Sequence, residues 1–179
     1  MRLRHQVLKN HRRDRMCCND FQLLETASQG EGEMLTFGLR TPRDLLEKLK
    51  RDGTLLDDEV TSDRFFNFVI TGYSLIDWLK HEPTVARSDV EAMYQDQWIK
   101  ICGDIANASK HFSLTTRTPI ASKVNSQQGF GVGRFGKGGF GVGEEGIVIE
   151  LNDGSSFSCL ELVRKVIETW EEFFRVHAL

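Results

Sequence analysis

Apolar residues recur along this chain in four blocks with the spacing of helix faces. Thr41-Pro42 opens the first: Thr can cap, Pro suits the first helical position, and Asp44 lies in the first turn, where the helix dipole favours a negative charge. Leu45, Leu46 and Leu49 form one face, and Gly53, after Lys48, Lys50 and Arg51, is the expected stop, giving a helix near 42–52. The second block predicts a helix over 63–81, before Pro83, with Phe65, Phe66, Val69, Tyr73, Ile76 and Leu79 at helical spacing. Phe68, Ile70, Leu75 and Trp78 widen its apolar surface, so this helix is expected to be central, with Gly72 admitting a close neighbour. Ser88-Asp89-Val90-Glu91 matches a capping box and predicts one long helix over 89–112, with Trp98, Cys102, Ile105, Ser109 and Phe112 as its packing seam. Gly103 inside it costs ~1 kcal/mol relative to Ala, which a close contact would offset. The fourth block predicts a helix over 158–176, capped by Ser158 with Glu161, whose apolar face is Val163, Val166 or Ile167, Trp170, Phe173 and Phe174.

The segments between read differently. Residues 115–128 are polar, contain Thr118-Pro119, and end the helical run; a strand fits within them. Ile147–Leu151 is strand-like, Asn152-Asp153-Gly154 is a turn signal, and Ser155–Ser158 can return as the partner of a hairpin around 147–158. Between them lies a Gly-rich loop, 129–146, in which FGVG occurs at 130–133 and again at 140–143. The fold class expected is mainly α: a bundle of about four helices with a small C-terminal β-hairpin and the Gly-rich loop, in one domain spanning 34–179.

Charge changes the picture at the N-terminus. The net charge is −3, but residues 1–16 carry six Arg and Lys against Asp14, a balance of +5, which leaves −8 for the remainder. Residues 1–33 are therefore read as a basic, poorly ordered extension, able to bind nucleic acid or an acidic surface, with a short helix compatible at Phe21–Ala27. No apolar run approaches the ~18–20 residues of a membrane helix, and no secretory signal is recognisable, so a cytoplasmic protein is expected. Of the four Cys, Cys17 and Cys18 are adjacent and Cys102 and Cys159 fall on helices. Their spacing suits neither a metal site nor a disulfide framework.

Two features are candidates for chemistry. The glycines produce three overlapping GxGxxG matches and an approximate P-loop at 131–138, but a strand follows them where a nucleotide fold needs a helix, and Gly138 stands where magnesium needs Ser or Thr. No cofactor is expected there, although Arg134 and Lys137 could touch an anion, and a small ligand beneath the loop is one alternative. The second feature is a stripe, Lys100, Asp104, Asn107 and His111, whose members fall within roughly 60° of one another on a helix. It groups a base, an acid, an amide and an imidazole, which suits proton transfer if something covers it. By the same spacing it points away from the seam, as a solvated helix face also would. One His and one carboxylate are too few for a metal.

The stretches FFNFVITGYSLIDWLK, CGDIANASKHF, IVIELNDGSSF and LVRKVIETWEEFF, with the Gly-rich insert, resemble uncharacterised bacterial helical proteins that are in turn similar to the HEPN superfamily. That resemblance implies a four-helix bundle, often dimeric, in RNA cleavage, antiphage or toxin–antitoxin systems. Catalytic HEPN ribonucleases carry Arg, four to six residues, then His. Here only Arg4 and His11 have that spacing, and Asp104 stands where such an Arg would precede His111. The expectation is a non-catalytic interaction or regulatory domain, working as a homodimer or with a protein partner. The alternative is a ribonuclease using His111 with Lys100, Asp104 or Asn107.

Overall fold

The computed structural model describes residues 38–110, 119–129 and 144–179. They form α1 (Pro42–Asp58), α2 (Ser62–Leu79), α3 (Arg87–Met93), α4 (Gln97–Lys110), β1 (Ala121–Gly129), β2 (Glu144–Leu151), β3 (Ser156–Ser158) and α5 (Cys159–Val176). The fold is mainly helical with one small antiparallel sheet in the order β1-β2-β3. Residues 1–33 and most of the Gly-rich loop lie outside the described residues.

Three helix starts follow from their caps. Thr41 and Asp44 form a reciprocal box: Thr41 Oγ1 accepts from Asp44 N at 3.1 Å, and Asp44 Oδ2 accepts from Thr41 N at 2.9 Å. Thr61 Oγ1 accepts from Arg64 N, and Ser158 Oγ accepts from Glu161 N. The Arg64 guanidinium reaches back and donates to Leu55 O and Glu59 O, so the first turn of α2 satisfies carbonyls at the end of α1.

Two sequence expectations about breaks are overturned. Gly53 does not stop α1, which runs on to Asp58. It is buried where α5 crosses, and a Cβ there would lie 2.8 Å from Ile167 Cδ1 and 3.2 Å from Val163 Cγ1. The glycine serves approach, not termination. Conversely, the helix expected over 89–112 is two helices. Ser88 caps nothing: α3 starts after Ala86 without a side-chain cap. The break comes at Asp96, whose Oδ1 accepts from Trp98 N at 2.9 Å and Ile99 N at 3.0 Å, the bonds of an N-cap that starts α4 afresh.

α2 packs against α1, α4 and α5 and is the centre of the bundle, as its wide apolar surface implied. At Gly72 a Cβ would meet Leu49, Cys102 and Val166, each at 3.3 Å, so three helices converge on one missing side chain. The indole Nε1 of the fully buried Trp170 donates to Gly72 O at 3.0 Å. Gly103 of α4 lies directly against the Tyr73 ring, the close contact its position called for. The sheet closes the other side of the core through Ile147, Ile149 and Leu151 of β2, while Phe157 of β3 packs edge-on against Trp98. Gly154, at φ +84°, makes the β2–β3 turn.

α3 is tied to the end of α5 by His177, which stacks on Phe173 and places Nδ1 2.9 Å from Phe173 O and Nε2 3.1 Å from Asp89 Oδ2. The Phe173 carbonyl first, then the Asp89 carboxylate, raise its pKa above the ordinary 6.5.

Gly103→Ala is expected to destabilise the protein by about 1–3 kcal/mol in urea unfolding, because the clash with Tyr73 outweighs the gain in helix propensity. An unchanged or raised midpoint would contradict the close contact. For His177 the folded-state pKa is the higher one, so its contribution is fully present below the ordinary pKa and is lost as pH rises through the folded value. The urea midpoint should therefore fall across that rise, and His177→Gln should flatten the profile.

Candidate functional site: the covered face of α4 and the edge of β1

α4 is buried on more sides than its seam suggested. Ile99, Ile101, Cys102, Gly103, Asp104, Ile105 and Ala106 are all buried, whereas Trp98 is half-buried and Ser109 is exposed, with its Oγ donating to Ile105 O. Phe112 lies outside the described residues. The stripe does not all face solvent. Lys100 and Asn107 are half-buried, Asp104 is 2% exposed, and His111 lies outside the described residues.

The segment leading into β1 covers Asp104. Asp104 Oδ2 accepts from Ile120 N at 2.6 Å and lies 3.5 Å from Ala121 N. Asn152, in the turn after β2, holds the same segment from the other side: its backbone N donates to Ile120 O at 3.0 Å and its Nδ2 to Pro119 O at 2.6 Å. The carboxylate read as a candidate acid is thus a strand anchor. It satisfies backbone donors where the chain enters the sheet, which is why a charged group is tolerated in the core.

From that anchor β1 runs antiparallel to β2. Val124 pairs with Ile149, Asn125 with Val148, and Ser126 with Ile147, with a bulge between Ala121 and Lys123. Opposed residues share a face, so Val124 and Ser126 stand on the side that packs on the helices. The helices do not reach that far. Ser122, Lys123, Val124, Ser126 and Gln127 are exposed, Val124 at 42%. β1 is nine residues long, and among the described residues no strand pairs with its outer edge. Asn125 Nδ2 donates to Glu150 Oε1 at 2.6 Å and Ser122 Oγ to Glu150 O, which stiffens the strand against β2. The strand expected within residues 115–128 is present as β1, although SKVNSQQ alternates too faintly to fix its bounds from the sequence.

A second polar cluster escaped the sequence reading. The Thr71 hydroxyl, buried between α1 and α2, lies 2.9 Å from Asp52 Oδ2 and accepts from Lys48 Nζ at 2.8 Å. Lys48 and Asp52 are one helical turn apart, a spacing that reads as an ordinary surface pair; only the crossing of α2 supplies the third member. Its contacts join two helices and leave the hydroxyl inaccessible. Cys102 is equally closed to chemistry: it donates to Val69 O, and burial pushes its thiol up to about 12. An open groove lined by Gly53, Asp57, Leu160, Glu161, Val163 and Arg164 lies beside the α1–α5 crossing. Among the described residues no three His, Cys, Asp or Glu side chains converge as metal ligands would. No described helix is long and apolar enough to cross a membrane.

No protein-family model, curated protein or solved structure matches the chain. The class that the fold defines is a mainly α domain carrying a small antiparallel sheet, and its chemistry rests on the geometry above.

Asp104→Ala would leave the Ile120 and Ala121 amides without their acceptor. The expected cost is about 1–3 kcal/mol in unfolding, with faster hydrogen exchange in residues 119–123. Unchanged exchange there would show that the carboxylate does not hold the strand.

Proposed function

We propose that this chain is a non-catalytic interaction module, of the regulatory or defence kind that its HEPN-like layout suggests, and that it binds protein through the outer edge of β1. One observation carries the reading: a nine-residue strand, pinned at its start by Asp104 and Asn152, presents an outer edge that no described strand pairs, with Val124 uncovered beside it. An exposed edge offers backbone donors and acceptors to any extended segment, and folds that do not use one usually guard it with charge, a bulge or a covering element. Here the two guards, Lys123 and the bulge, sit together at the first residues of the strand, and the exposed Val124 follows them. Asp104 supports the same reading from the other direction, because its carboxylate is committed to the backbone that positions this edge.

The test compares the native chain with Val124→Lys, a substitution at an exposed position. A protein ligand retained by the native chain should bind the variant at least about tenfold more weakly. The competing reading, ribonuclease chemistry around His111, predicts cleavage of single-stranded RNA by the purified chain that His111→Ala or Asn107→Ala abolishes while the fold is kept. That result would overturn the proposal.

A further inference from the structure

We propose that His177 is a proton-operated latch, which holds the N-terminal end of α3 on the end of α5 only while its imidazole carries both ring protons. Each ring nitrogen faces an oxygen that accepts: Nδ1 stands 2.9 Å from Phe173 O, and Nε2 stands 3.1 Å from Asp89 Oδ2. The imidazolium donates to both. A neutral imidazole has one N–H and one lone pair, so it serves one oxygen and turns a lone pair on the other. The ring is held where it is by its stack on Phe173, with centroids 4.1 Å and planes 23° apart. The Phe173 carbonyl belongs to the same helix, four residues back, and moves with the ring. Asp89 stands on another element, 88 residues away in sequence, and its carboxylate is exposed to water. When the proton leaves to solvent, Asp89 is therefore the partner that yields, and in either tautomer its charge-assisted bond is gone.

α3 is built to give way there. It has seven residues and starts after Ala86 without a side-chain cap. Asp89 N and Val90 N both donate to Ala86 O, at 3.0 and 3.3 Å, so the first turn hangs on one carbonyl. The other end is pinned: Tyr94 packs edge-on against Tyr73, and Lys80 Nζ lies 5.3 Å from the Tyr94 ring centroid. Release at His177 thus frees the first turn of α3, and with it the buried Val90, about a pivot at Tyr94. The Phe173 carbonyl first, then Asp89, favour the charged ring, and Asp89 is the charged side chain that acts on it. Arg175 of α5 is paired with Glu172, Arg87 of α3 with Glu91, and Arg43 of α1 lies over the Phe174 ring. The latch closes as pH falls through the folded-state value of His177 and opens as pH rises through it. Proton binding and docking of α3 are linked, so each favours the other by the same factor.

The experiment uses the full chain. Hydrogen exchange is followed residue by residue by NMR and referred to the unstructured rate at each pH. Protection of the Asp89 and Val90 amides should fall severalfold as pH rises through the His177 transition, read from the ring's own resonances. In low urea that exchange should stay nearly constant, while the Phe68 and Val69 amides of α2 respond steeply, because α3 opens without unfolding the bundle. Asp89→Asn, at an exposed position, should move the His177 transition to lower pH and remove the pH dependence of α3, since an amide can accept from the ring or donate to it alike. His81→Gln, also at an exposed position, should change neither. Protection of α3 that does not change across the His177 transition overturns the inference. So does a urea dependence equal to that of the core, which would mean that α3 opens only with the whole bundle, or a pH dependence that survives Asp89→Asn.

Discussion

The indole N–H of Trp170 meets the carbonyl of Gly72 across 98 residues of sequence, at a point where neither group can reach water. The same residue is a point of close approach, because Gly72 has no side chain. Leu49 of α1, Cys102 of α4 and Val166 of α5 each lie 3.3 Å from where a Cβ would stand, inside ordinary van der Waals contact. A methyl group there would push three helices at once, and loss of the indole N–H would leave a buried acceptor short of its partner. The bundle is therefore organised around a close approach on α2. Gly53 and Gly103 repeat the device at the α1–α5 and α2–α4 crossings. Where α4 and α5 lie then fixes where the sheet can sit, because β2 packs on α5 and the entry to β1 is bonded to α4.

The polar groups in this interior follow one rule: each is held against a backbone group or a partner from another element. Asp104 holds the amides at the start of β1. Thr71 joins Lys48 and Asp52 across the α1–α2 crossing. Cys102 donates to Val69 O. Such groups fix register between elements more than they offer reactivity, since a buried carboxylate bonded to backbone amides is committed as an acceptor. The consequence for function is positional. Asp104 sets where β1 begins, and β1 is the element that the helices leave uncovered.

The positions of the four helical blocks and most of their apolar faces are readable because their causes are local, although the third block holds two helices. Thr41-Pro42 with Asp44, the Phe and Leu periodicity of α2, Ser158 with Glu161, and Asn152-Asp153-Gly154 each act within a few residues. The apolar face of α5, from Val163 to Phe174, was found in the sequence nearly residue by residue. What was misread depends on distant partners. Gly53 looked like a helix stop because a stop and a close contact both call for glycine, and only the position of α5 decides between them. Asp96 was passed over as a cap because Ser88 offered the more familiar pattern and the apolar seam ran on through it. The stripe that holds Asp104 is expected to point away from the seam, and Asp104 is nonetheless buried, because helical spacing cannot foresee the chain returning at Ile120, sixteen residues later. Of that stripe, Lys100 and Asn107 stay half-buried on α4, and His111, most of the Gly-rich loop and the basic N-terminus lie outside the described residues.

Backbone hydrogen exchange of β1 with and without a protein ligand that the chain retains tests the central claim most directly, since it reads the strand without altering any residue. If β1 is the binding element, its amides gain protection when the ligand is added, while those in the α2–α5 core stay as they are. Exchange in β1 that does not change on addition of the ligand, or protection that appears on α4 or α5 instead, would contradict it.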